Sequence, residues 1–187
     1  MKSIRKHGIG IAVALGMASS ATATTLINQD TQALVSSSSD IVVGRVASVR
    51  PHWDEWHEHI VTDVDVEVIQ SLKGAQQRFT LTQLGGEVDG MRLTVPGCPT
   101  FKLGEEALLF VWRDSRGRAQ VNGLGQGKFE VRRDPISQER CLIRNVPGMA
   151  FDDARSLRAL RTGHAPPRVT LERMLGEIRA DLARSDR

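Results

Sequence analysis

The sequence predicts a mainly β protein, an antiparallel barrel or sandwich followed by two C-terminal helices. Three observations predict it. Between residues 40 and 144, apolar and β-branched residues recur with a period of two in many short runs. Glycine-rich turns separate those runs. After Gly148 the period becomes helical, and nowhere do strands and helices alternate as in a doubly wound fold.

The elements follow in order. Residues 1–7 carry Lys2, Arg5 and Lys6, residues 8–18 are uncharged and mostly apolar, and Ala21-Thr22-Ala23 closes the segment. That order is a secretory signal peptide, with cleavage expected after Ala23. The apolar stretch is shorter than the roughly 20 residues a bilayer span requires. Arg5-Lys6 is not a twin-arginine pair, and the first cysteine is Cys98, so neither that route nor a lipid anchor is expected. No later run is long enough for a transmembrane segment. The expected mature chain starts at Thr24 and is periplasmic or secreted.

Two parts are expected in it: a β-barrel domain over 24–150 and a C-terminal helical segment over 151–187 packed on the barrel. Leu26, Leu34 and Val35 can share one face of a short helix beginning near Asp30. Residues 41–49 are β-branched and strand-like. In 60–69, Val64, Val66 and Val68 face one way and Asp63, Asp65 and Glu67 the other, the pattern of a half-buried strand with an acidic solvent face. Phe79, Leu81 and Gln83 alternate with Thr80, Thr82 and Leu84; Met91, Leu93 and Val95 alternate with Arg92 and Thr94. Asp89-Gly90 between them is a two-residue hairpin signal. Residues 107–112 are continuously apolar, as in a strand covered on both faces. A turn at 114–117 and short strands over 119–124, 128–133 and 140–144 complete the β region. One helix is expected over 152–161. Thr170 can cap a second, with Leu171, Met174, Leu175, Ile178 and Leu182 as its apolar stripe.

Charge excludes one class of partner. The chain has 25 basic and 22 acidic residues, but residues 1–23 hold three basic residues and no acidic one, leaving 22 of each in the mature chain. The basic pI therefore belongs to the discarded peptide and does not point to nucleic acid. Residues 24–131 hold 10 basic and 14 acidic groups, whereas residues 132–187 hold 12 and 8. The simplest reading is a basic tail lying on an acidic body; a basic surface for an acidic partner is the alternative. Cys98 and Cys141, an even pair in an oxidising compartment, are expected to form one disulfide. It would close a loop of about 43 residues and contribute on the order of 4 kcal/mol. No C-x-x-C motif suggests redox activity.

Four segments, Asp40-Ile-Val-Val-Gly-Arg-Val46, Val64-Asp-Val-Glu-Val-Ile-Gln-Ser-Leu-Lys-Gly74, Leu103-Gly-Glu-Glu-Ala-Leu-Leu-Phe-Val111 and Gly125-Gln-Gly-Lys-Phe129, resemble a group of uncharacterised secreted bacterial β-domain proteins, over roughly 40–135. A strand ending in Leu-Lys-Gly with a later Gly-Glu before an apolar strand is also similar to netrin-like domains, which share the OB-type barrel of tissue inhibitors of metalloproteinases. The resemblance implies an OB-like barrel that binds a partner. It does not carry over the inhibitory wedge, since those inhibitors use an N-terminal Cys and this chain has Thr24 there.

The most unusual composition is Pro51-His-Trp-Asp-Glu-Trp-His-Glu-His59, which holds three of five His and two of three Trp. As a recognition loop it offers Trp53, Trp56, His57 and His59 to a partner. As a metal loop it offers His52, His57 and His59 to zinc or another divalent ion. An ordinary exposed hairpin loop is the plain alternative. Other chemistry is poorly supported. His57-Glu58-His59 is not H-E-x-x-H, no G-x-S-x-G occurs, and Cys98 between Pro96 and Pro99 sits in a rigid loop. Gly123 to Lys128 lacks the G-K-[ST] ending of a phosphate loop and reads as a glycine-rich turn or bulge. Asp63, Asp65 and Glu67 read as a solvated face, since calcium ligands converge from a loop. Nucleic-acid binding would want exposed aromatics in a basic groove, and the barrel segment is acidic and lacks Tyr. The expected function is therefore an exported non-catalytic domain that binds a macromolecule, a protein such as a secreted enzyme. A metal-binding protein or metal-dependent enzyme and a structural envelope protein are the alternatives.

Overall fold

A computed structural model describes residues 29–74, 76–144 and 169–185. The signal peptide expected over 1–23, Leu26 and the helix expected over 152–161 lie outside the described residues.

The chain enters through α1 (Thr31–Ser37). Asp30 caps it by accepting the Ala33 N–H at 2.8 Å, and Leu34 and Val35 are its buried pair. β1 (Asp40–Trp53) and β2 (Ile60–Lys73) follow as a long antiparallel hairpin, and β3 (Arg78–Leu84) continues it. β4 (Gly86–Val88) and β5 (Met91–Leu93) form a separate two-stranded hairpin. The expected Asp89-Gly90 turn closes it, with φ of 52° and 76°. The strand before that turn is not β3, however. Gly85 and Gly86, at φ 101° and 142°, break the chain away from the barrel first.

β6 (Glu106–Arg113) and β7 (Ala119–Val121) return to the barrel, and a 3-10 turn (Leu124–Gly127) leads to β8 (Lys128–Arg133) and β9 (Arg140–Ile143). Five strands close in the order β1-β2-β3-β7-β6, with β6 pairing back to β1. This is a closed, mixed barrel. The expectation of an all-antiparallel sheet is corrected at one seam, where β3 and β7 run parallel through Leu81 and Ala119. β7 and β8 share the second edge of β6, and β9 extends the sheet beyond β8.

Two cores flank β1 and β6. Val42, Val46, Val64, Val66, Leu81, Leu109 and Val111 fill the barrel with Phe79 and several smaller side chains. Ile41, Val43, Leu108, Phe110 and Phe129 face the other way, under the helices. Successive residues of a strand point to opposite faces, so a strand between two cores must be apolar at every position. This is why 107–112 shows no alternation. α2 (Leu171–Ser185) lays Leu171, Met174, Leu175 and Ile178 into this outer core, with Leu182 partly buried. Thr170 caps it, its hydroxyl accepting the Arg173 N–H at 3.3 Å. Among the described residues, one helix precedes the barrel's strands and one follows them. Neither helix is long and apolar enough to cross a membrane.

The expected Cys98–Cys141 disulfide does not form. Both thiols are free and buried, and they lie far apart. Cys98 sits in the loop after β5, its N–H donating to the Val95 carbonyl, whereas Cys141 lies on β9 and pairs with Thr170 beside α2. A bridge requires Cα atoms within about 7 Å. Counting cysteines could not reveal that the two belong to different parts of the fold.

Candidate functional site

The β1–β2 ladder ends at the pair Trp53 and Ile60, so residues 54–59 form the connecting loop. Asp54 organises it. Its N–H donates to the His59 carbonyl at 2.9 Å, and its carbonyl accepts the His57 N–H at 3.1 Å. Its carboxylate accepts the Glu58 N–H at 2.8 Å and meets His59 Nδ1 at 3.2 Å. Burial pushes the Asp54 carboxyl up, but these bonds from Glu58 and His59 outweigh it and hold the group below its ordinary range. His57 takes a left-handed conformation, φ 57°, and stacks on Trp53 with centroids 5.9 Å apart and planes 11° from parallel.

This geometry separates the candidate residues. Trp53 and His57 stack on each other. His52 has Nδ1 2.7 Å from the Trp53 carbonyl and Nε2 3.3 Å from Asp63 Oδ2. His59 is turned to Asp54. The three imidazoles thus have three different partners, and among the described residues no three His, Cys, Asp or Glu side chains stand together to hold a metal ion.

Trp56 and His59 instead look over a cleft of about 410 Å³. The opposite wall comes from Leu84 on β3, Trp112 on β6, and Gln120 on β7, with Arg118 at the β6–β7 turn. Trp56 is 62% exposed, Leu84 48% and Trp112 37%, so three large apolar side chains meet solvent around one opening. Trp112 and Leu84 were missed in the sequence. The available signal was position: Trp112 is the one outward-turned, half-covered residue at the end of the buried β6 run. Arg118 is fixed by Asp114, Nε to Oδ2 at 2.7 Å. Cys98 lies at the back of the cleft, and burial pushes its thiol up, so it stays protonated and weakly nucleophilic at neutral pH.

Comparison of the chain with protein-family models, with curated proteins and with solved structures returns no match. What can be stated of the resemblance over 40–135 is therefore its coarse content, a small five-stranded mixed β-barrel, without a family.

The remaining sequence candidates have structural tasks. Asp63 accepts from Thr82, Asp65 from Arg50, Ser48 and Thr80, and Glu67 from Arg78. The acidic row is thus a cross-strand ladder of polar pairs on the outer face. The glycine-rich 123–128 segment is a packed turn: Gly125 donates to the Gly97 carbonyl at 2.7 Å, anchoring the loop that holds Cys98.

Proposed function

We propose that the chain is an exported, non-catalytic binding domain of OB-like build that recognises another protein through the cleft between residues 54–59 and the β6–β7 turn. The strand order β1-β2-β3-β7-β6 with one parallel closure supports the OB-type reading. In that architecture the loops joining the first to the second strand and the fourth to the fifth serve binding. Here those loops border the cleft. The observation that carries the proposal is the trio Trp56, Leu84 and Trp112, exposed together around it.

Tryptophan is the residue type that most often dominates protein–protein affinity, in pockets ringed by polar groups. Asp54, His59, Gln120 and Arg118 supply that polar ring. The excess of acidic over basic groups in 24–131 favours a protein over a polyanion. Export is supported by the basic, apolar and Ala-x-Ala order of residues 1–23.

The test places a photoreactive amino acid at Gln120 and crosslinks in the intact envelope and in the medium. A single crosslinked protein is then produced pure and its affinity measured by calorimetry. The expected result is specific binding weakened at least 100-fold in Trp56→Ala/Trp112→Ala. Unchanged binding by that double variant, or no crosslink in either compartment, would overturn the proposal. Zinc titration tests the metal reading: binding by wild type that is lost in His57→Ala/His59→Ala would favour it instead.

A further inference from the structure

Behind the protein-binding cleft lies a second one of about 350 Å³, entered between the β4–β5 hairpin and the loop over 94–101. We propose that it is a binding site for a small, mostly apolar molecule carrying one hydrogen-bond acceptor, with the Gln83 amide as its polar contact. The proposal rests on observations other than those behind the protein-partner reading, although Gln83, Leu84 and Cys98 line both clefts.

Three observations carry it. First, the exposed lining is mainly apolar, with Val49, Pro51, Leu93, Val95, Pro99 and Phe101 among its walls. The volume is that of a small-molecule site, in the range of roughly 300–1,000 Å³.

Second, Gln83 occupies an inward register position on β3, in line with the buried Phe79 and Leu81. It is only 6% exposed, and its Nε2 has no hydrogen-bond partner among the described residues. A buried donor left unpaired is costly, and native proteins keep few of them. Among the described residues no acceptor stands within hydrogen-bond distance of that Nε2. The Thr62 hydroxyl donates to the Gly85 carbonyl at 2.6 Å, and Arg92 is held by Glu87, Nε to Oε2 at 3.0 Å. Gln83 lines the cleft, and a rotation of its amide, whose Nε2 is closed to solvent, presents that donor to a ligand acceptor at the floor.

Third, the opening is built into the backbone. Gly85 and Gly86 take positive φ to swing the hairpin off the barrel. A Cβ on Gly86 would come within 2.6 Å of Thr62 Oγ1 and 3.0 Å of Pro51 Cβ, and one on Gly85 within 3.0 Å of the Leu93 carbonyl. Only glycine gives the tight corner that sets the hairpin as a wall.

A ligand must therefore be compact, uncharged over most of its surface, and equipped with a carbonyl, ether or similar acceptor at one end. The polar end goes to Gln83 and the apolar body lies against Phe101 and Leu93.

The experiment uses the full mature chain and two probes of nearly equal shape, acetophenone and isopropylbenzene, followed by NMR. The expected result is that acetophenone shifts the Gln83 side-chain amide and the Phe101 and Leu93 resonances. It should bind about tenfold more tightly than the hydrocarbon. Gln83→Met should abolish the preference while keeping the fold. Equal affinity for the two probes in the wild-type chain would overturn the proposal without any variant being needed. So would a preference that survives in Gln83→Met, or shifts confined to Trp56 and Trp112. Val95→Trp, which fills the cleft from a loop position, provides the second variant and should block both probes.

Discussion

The ammonium of Lys128 lies 2.5 Å from Glu105 Oε1, and both side chains are almost fully buried. Lys128 also donates to the Thr100 carbonyl at 2.6 Å and stands 4.6 Å from the centre of the Phe101 ring. Glu105 Oε2 accepts the Lys102 N–H at 3.0 Å. One pair thus fastens the whole 100–105 turn to β8. Breaking such a pair leaves a buried charge alone. Lys128→Ala and Glu105→Ala should each destabilise by about 3 kcal/mol, whereas Lys128→Met/Glu105→Leu should recover most of that loss. Urea unfolding measures all three.

Asp65 yields a pH dependence. Arg50 beside it, with the Ser48 and Thr80 hydroxyls, holds its carboxyl well below the usual carboxylate range. A depressed folded-state value means that its contribution is fully present above the unfolded value near about pH 4 and is lost as pH falls further. The pair is at the surface, so the effect should be small and weakened by salt. Thermal melts of wild type and Asp65→Asn should differ at pH 6 and converge toward pH 2. A difference that grows on acidification would contradict this.

Gly127 sits where a Cβ would come 2.6 Å from the Asn122 carbonyl and 2.9 Å from that of Phe110. Gly127→Ala should therefore cost about 1–3 kcal/mol by overpacking. Gly90→Ala, where a Cβ meets nothing within 4 Å but φ is 76°, should cost only the smaller backbone strain. Chemical denaturation of the two variants orders them.

The two thiols should behave as free and shielded. In the native chain, Cys98 and Cys141 are both 7% exposed and should react slowly with a maleimide. Once unfolded without reductant, two thiols per chain should be labelled, counted by intact mass. No labelling under those conditions would restore the disulfide.

How much of this was legible depends on how local each feature is. The alternation of β2 displays its two faces directly: Val64 and Val66 are fully buried, and Asp63, Asp65 and Glu67 carry the outer ladder. The apolar run of β6 announced its double burial. Caps at Asp30 and Thr170 were legible because a cap needs only three residues to recognise. The parallel seam was not, since one pair, Leu81 with Ala119, joins strands distant in sequence and leaves no trace in either. The site was half visible. Composition pointed to Trp56 and His59 but also to Trp53 and His57, whose mutual stacking is a matter of loop geometry. Gln83 was legible as a polar residue in an inward slot, yet its meaning depends on the partner it lacks, which only the packed structure shows.

Gln83, Leu84 and Cys98 border both clefts, so the two openings are separated by a single course of side chains. A partition that thin cannot move for one side alone. Any occupant that shifts Gln83 or Leu84 reshapes the opposite chamber, and thermodynamic reciprocity makes the influence equal in both directions. If both proposed sites are used, a small molecule on the hairpin side would act as an effector of protein binding on the Trp56 side, and the bound protein would tune the affinity for the small molecule by the same factor.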